Sequence, residues 1–108
     1  MPHDPHLAEQ MRVALRAREG IVEKKMFGGC CWMLNGNMLC GVEVGRFMFR
    51  VGAAQEAEAL ARPGVRPMDI TGKPMKGFVW VDAREAEGPR LDAWIELAAR
   101  FVGALPPK

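Results

Sequence analysis

From Cys30 to Val51 the chain reads CCWMLNGNMLCGVEVGRFMFRV, and the folding of this stretch decides the architecture. Asn35-Gly36 is the favoured pair for a type I′ hairpin turn, because both central residues of that turn need positive φ. With the turn there, paired residue numbers sum to 71, so Met33 faces Met38 and Cys31 faces Cys40. A second tight turn at Gly45-Arg46 gives pairs summing to 91, Val44 with Phe47 and Val42 with Phe49. Both registers place Cys31, Met33, Met38, Cys40, Val42, Val44, Phe47, Phe49 and Val51 on one face. The other face then carries Trp32, Leu34, Leu39, Gly41, Glu43, Met48 and Arg50. One apolar face and one mixed face predict a three-stranded meander with helices on one side.

Helical periodicity flanks this meander. Between Asp4 and Glu19, Leu7, Met11, Ala14 and Leu15 recur at spacings of three and four, with Asp4 placed to cap, Pro5 at the first turn and Gly20 after the end. Ala53 to Ala61 is rich in alanine and glutamate, hence helical, and Pro63-Gly64 stops it. Arg66–Thr71 and Lys76–Asp82 read as two strands around a Gly72-Lys73-Pro74 turn, and Phe78 and Trp80 alternate with Val79 and Val81, so both faces of the second strand are apolar. Leu91, Trp94, Ile95, Ala98, Phe101, Val102 and Leu105 form the stripe of a last helix, opened by Pro89 and stopped by Pro106-Pro107. The order is helix, three strands, helix, two strands, helix: an α+β, two-layer domain, α-β(3)-α-β(2)-α, occupying residues 1–108 as one unit.

Composition agrees. The chain has 108 residues, is 49% hydrophobic and 26% charged, and so is not a disordered polymer. A chain of this length buries roughly 65 % of its extended surface, enough for a core without disulfides or metal. No apolar run approaches the ~20 residues that span a bilayer, and MPHDPHLAEQ contains no signal-peptide core, so a cytoplasmic domain with no membrane contact is expected. A net charge of +2 is too small to announce a nucleic-acid partner.

Catalytic equipment is sparse. Serine and tyrosine are absent and Thr71 is the one threonine, so no Ser-His-Asp arrangement exists. Cys30, Cys31 and Cys40 lack zinc-ligand spacing, and the two histidines, His3 and His6, stand ahead of the first helix. Reduced structural thiols are the expectation, although the hairpin register sets Cys31 against Cys40 at bridging distance, which a redox pair would use. Gly72-Lys73-Pro74 fails the phosphate-loop pattern and reads as a turn, and Asp82 with Glu85 has the spacing of a helix cap. Lys24, Lys25, Arg46, Arg50, Arg62, Arg66, Lys73 and Lys76 are a solvated surface unless they share one face. No cofactor and no metal are expected.

Met26-Phe27-Gly28-Gly29, Arg66-Pro67-Met68-Asp69, Gly72-Lys73-Pro74-Met75-Lys76-Gly77 and the closing Leu105-Pro106-Pro107-Lys108, in that order, resemble the N-terminal domain of the TfoX/Sxy family from about Val22 to Lys108. The resemblance implies a single antiparallel sheet within the same α-β(3)-α-β(2)-α order. It also implies a regulatory setting, since the founding members control natural competence together with a cyclic-AMP receptor protein and carry a further helical domain. The leading expectation is therefore a non-enzymatic interaction module working through contacts with a protein partner. Weak, salt-sensitive or indirect nucleic-acid binding through a basic surface comes second, and a small thiol redox protein using Cys31 and Cys40 third. The expected interaction surface is Trp32, Leu34, Leu39 and Met48, an apolar group that a second copy would cover by two-fold pairing, as a homodimer, or that another part of the same chain would cover.

Overall fold

A computed structural model describes residues 5–26, 29–70 and 72–107. Helix α1 (Pro5–Leu15) leads into strands β1 (Ile21–Met26), β2 (Gly29–Leu34), β3 (Asn37–Glu43) and β4 (Arg46–Arg50). Helix α2 (Ala53–Leu60) follows, then β5 (Val65–Ile70), β6 (Lys73–Asp82), a 3-10 turn at Ala83–Glu85 and helix α3 (Pro89–Val102). The six strands form one antiparallel sheet in the order β1-β2-β3-β4-β6-β5. The α+β class, the single antiparallel sheet and the helix–strand order thus match the sequence reading, and β1 joins the first group of strands. Its sequence IVEKKM has no clean alternation because it is an edge: Glu23 turns toward α1 and takes both Nε (2.7 Å) and an outer nitrogen (2.8 Å) of Arg12.

Helix α1 ends at Leu15, sooner than its periodicity suggests, and Gly20 stands in the turn just before β1. There its φ is 81° and its carbonyl accepts the Asn35 N–H at 3.0 Å. Asp4, the expected cap, lies outside the described residues. Asn35 (φ 53°) and Gly36 (φ 86°) both adopt the left-handed conformation that the type I′ turn requires. The next turn is Val44-Gly45 rather than Gly45-Arg46: Val42 faces Phe47 and Glu43 faces Arg46, so pairs sum to 89. That two-unit change preserves which side chains share a face. A different irregularity does not.

On β3, Leu39 is an extra residue: Met33 still faces Met38, but Trp32 faces Cys40 and Cys31 faces Gly41. Such a bulge points two successive side chains, Leu39 and Cys40, to the same side and reverses the faces of everything beyond it on the partner strand. Cys30, Trp32 and Leu34 consequently turn inward with Leu39, Cys40, Val42, Phe47, Phe49, Val51, Val79 and Val81. Onto this face pack Leu7, Met11 and Leu15 of α1, Ala59 of α2, and Leu91, Trp94, Ile95 and Val102 of α3. Trp94 stacks on Phe49 with ring centroids 5.5 Å apart.

Helix α2 is anchored where Gly52 (φ 84°) and Gly77 (φ 88°) meet. The N–H groups of Val51 and Gly52 both donate to the Gly77 carbonyl (2.8 and 3.0 Å), and Glu56 accepts the Gly77 N–H at 2.5 Å. A side chain at Gly52 would run into the Phe101 ring, and one at Gly77 would meet the Gly52 backbone at 3.2 Å.

Candidate functional site

The bulge leaves a second, separate cluster on the helix-free face: Cys31, Met48 and Met68 are buried there, with Met38, Met75, Phe78 and Trp80 half-buried around them. One row of this face crosses every strand. Lys24 faces Cys31, Cys31 faces Gly41, Gly41 faces Met48, Met48 faces Trp80, and Trp80 faces Arg66. The row is cationic at both edges and apolar between, and beside Gly41 lies a hollow of about 200 Å³. Cys31, Met48, Met68 and Trp80 line it, with Glu43, Arg46 and Asp69 also contributing. A Cβ on Gly41 would lie 3.0 Å from the Cys30 carbonyl oxygen, 3.2 Å from Cys31 Sγ and 3.3 Å from Met48 Cε, so the thiol and the thioether already close over Gly41 and only glycine fits beneath them.

Beside this row lies a charged one, Glu43–Arg46–Asp82. Glu43 accepts from Arg46 Nε at 2.7 Å and holds the guanidinium 3.7 Å above the Trp80 ring centroid. Arg50 sits 5.4 Å over Phe78 in the same manner. Lys24 and Arg66 are exposed and have no ion-pair partner among the described residues.

The surface expected from the sequence does not assemble. Trp32 (2% exposed), Leu34 (8%) and Leu39 (0%) are in the helix-covered core, and Met48 alone faces the other way. The bulge is the physical reason, since it inverts β2 and doubles the inward residues of β3. Cover for Trp32 thus comes from the chain itself. The Cys31–Cys40 pairing fails for the same reason, because the two thiols lie on opposite faces of the sheet. Burial raises the Cys31 thiol to about 11, helped by neighbouring Cys30, and raises the Cys40 thiol further. Such thiols stay protonated at neutral pH and are poor nucleophiles. Cys40 instead donates to Met11 Sδ at 3.7 Å.

The basic residues divide. Lys24, Arg46, Arg50 and Arg66 belong to the helix-free side, whereas Arg62 lies 4.8 Å over Trp94 on the helix side and pairs with Glu58 at 3.3 Å. His6 is on α1, 3.1 Å from Gln10, and His3 lies outside the described residues. Ile70 and Lys73 face each other at a strand turn, not a phosphate loop. Asp82 accepts the Arg84 N–H at 3.4 Å and caps the 3-10 turn. Among the described residues no three His, Cys, Asp or Glu side chains are grouped to hold a metal, and no helix is long and apolar enough to cross a membrane.

What sequence reasoning missed is the set Cys31, Met38, Met68, Phe78 and Trp80. The signal was the two-sided apolarity of β6, which requires an apolar cluster on each face of the sheet. No curated protein and no solved structure matches the chain. The family model of the TfoX N-terminal domain matches residues 13–102, from within α1 to the end of α3, and so takes in the whole sheet and both of its faces. The chain therefore belongs to the TfoX N-terminal domain family.

Proposed function

We propose that this domain is a non-enzymatic binding module that offers the helix-free face of its sheet to a protein partner. One observation carries the reading: α1, α2 and α3 all pack on the Phe47 and Phe49 side, while Met48, Phe78 and Trp80 occupy the opposite face. A sheet covered on one side ordinarily sets polar residues on the other. Methionine-rich surfaces are adaptable and suit contacts that re-pack around a partner. The family is not one of known enzymes, and the raised thiols offer no ready nucleophile. A regulatory role of the kind held by the family's founding members is the setting we assign to these contacts.

The test compares the two faces in living cells. A photo-crosslinking residue replaces Met38 on the helix-free side or Val13, which is 52% exposed, on α1. We expect a discrete, saturable protein adduct from position 38 and none from position 13, with the adduct lost on Trp80→Glu. Equal adducts from both positions, or none from position 38, would overturn the reading.

A further inference from the structure

Resting on that reading, we infer that the partner is an acidic segment of another protein, seated along the row Lys24–Cys31–Gly41–Met48–Trp80–Arg66 with a large apolar side chain in the hollow at Gly41. Three features of the face select this occupant.

The first is shape. The row crosses six strands, so its two cationic ends stand about 24 Å apart at the ~4.8 Å strand spacing. The hollow beside Gly41, about 200 Å³, suits one leucine, methionine or phenylalanine side chain. Its thiol, thioether and indole walls reward an apolar group, and Glu43, Arg46 and Asp69 also line it.

The second is charge. Lys24, Arg50 and Arg66 lack ion-pair partners among the described residues, and Asp69 is the unpaired carboxylate against them, because Glu43 is engaged by Arg46. Two unpaired cations flanking an apolar trough fit acidic side chains on either side of an apolar anchor. The same charges oppose a second copy, since two such faces would bring cations together.

The third is what the aromatic rings are doing. Single-stranded nucleic acid binds sheet faces by stacking bases on open rings. Here a Trp80 face is taken by Arg46 at 3.7 Å and a Phe78 face by Arg50 at 5.4 Å. Bases would find those ring faces already covered. Main-chain pairing at the sheet edges is disfavoured too: β1 carries Glu23, Lys24 and Lys25, and β5 contains Pro67.

The experiment titrates the isotope-labelled domain by NMR with a peptide of about 16 residues, the helical span of 24 Å. Leucine and phenylalanine stand at its centre and paired glutamates at each end; a twin peptide carries lysines in place of the glutamates. We expect the acidic peptide to shift the amides of Cys31, Gly41 and Met48 and the Trp80 indole, with the twin at least about fivefold weaker. Lys24→Glu with Arg66→Glu, both at exposed positions, should reverse that preference without loss of fold. Equal binding of the two peptides, shifts away from the row, stronger shifts from a single-stranded oligonucleotide at about 150 mM salt, or concentration-dependent shifts with no peptide would each overturn the inference. The two proposals fail separately: an adduct from position 38 that ignores the double charge reversal sinks the acidic partner and leaves the binding face standing.

Discussion

The two faces of this sheet are built from neighbouring residues of the same strands, yet they are packed by different rules. On the covered face, Phe47, Phe49, Val79 and Val81 meet three helices and are shut off from water. On the other face, Met48, Phe78 and Trp80 belong to a small cluster with Cys31 and Met68, and the guanidinium groups of Arg46 and Arg50 lie over the two rings. The first face holds the fold together, and the second is what the fold leaves available. Substitution should separate them. Trp94→Ala, which removes a ring stacked on Phe49, is expected to cost roughly 3–5 kcal/mol in denaturant melts. Trp80→Ala, half-buried beneath a guanidinium, should cost about 1–2 kcal/mol. Equal losses would erase the distinction between the faces.

A second pair of substitutions tests how the covering layer is attached. Gly77→Ala forces a left-handed residue and presses its Cβ on the Gly52 backbone, for an expected loss of about 2–3 kcal/mol. Gly45→Ala, at φ 74° with nothing near its Cβ, isolates the backbone strain and should cost about 1 kcal/mol. Matching losses at the two positions would mean that the corner holding α2 is not tight.

The thiols mark the two faces as well, Cys40 on the covered side and Cys31 on the other. In the unfolded chain both titrate near 8.5. Folded, Cys31 holds its proton to about 11 and Cys40 holds its proton longer. Above pH 8.5 the unfolded state therefore binds fewer protons than the native one, and stability falls as pH rises. The thiol contribution is complete below that pH and is lost progressively through about 11 for Cys31. Denaturation midpoints measured from pH 8 upward should decline, with a shallower slope in Cys40→Ala and a smaller change of slope in Cys31→Ala. A flat alkaline profile in the parent protein would contradict the burial of both thiols.

Much of this was legible in the sequence, and the exception is instructive. Asn35-Gly36 announces its turn because only a few residues tolerate two successive positive φ values. The stripe from Leu91 to Val102 announces α3 because the helical period repeats across about three turns. Misplacing the turn at Gly45 did no harm, since a register change of two leaves the faces alone. The bulge at Leu39 carries no glycine or proline to betray it, and one unmarked residue moved Trp32 and Leu34 from the outer face to the core. Met48, on the far side of β3 from the inverted strand, kept its expected face. The candidate site was therefore readable from β4 and β6, where pairing is regular, and not from β2.

The inversion of β2 is the central claim, and tryptophan fluorescence tests it most directly. Two single-tryptophan proteins are needed, one keeping Trp32 and one keeping Trp80, with the other tryptophans replaced by phenylalanine. The account predicts blue-shifted emission and weak acrylamide quenching for Trp32, and red-shifted emission with strong quenching for Trp80. The reverse order, Trp32 quenched readily and Trp80 protected, would put Trp32 back on the outer face and contradict it.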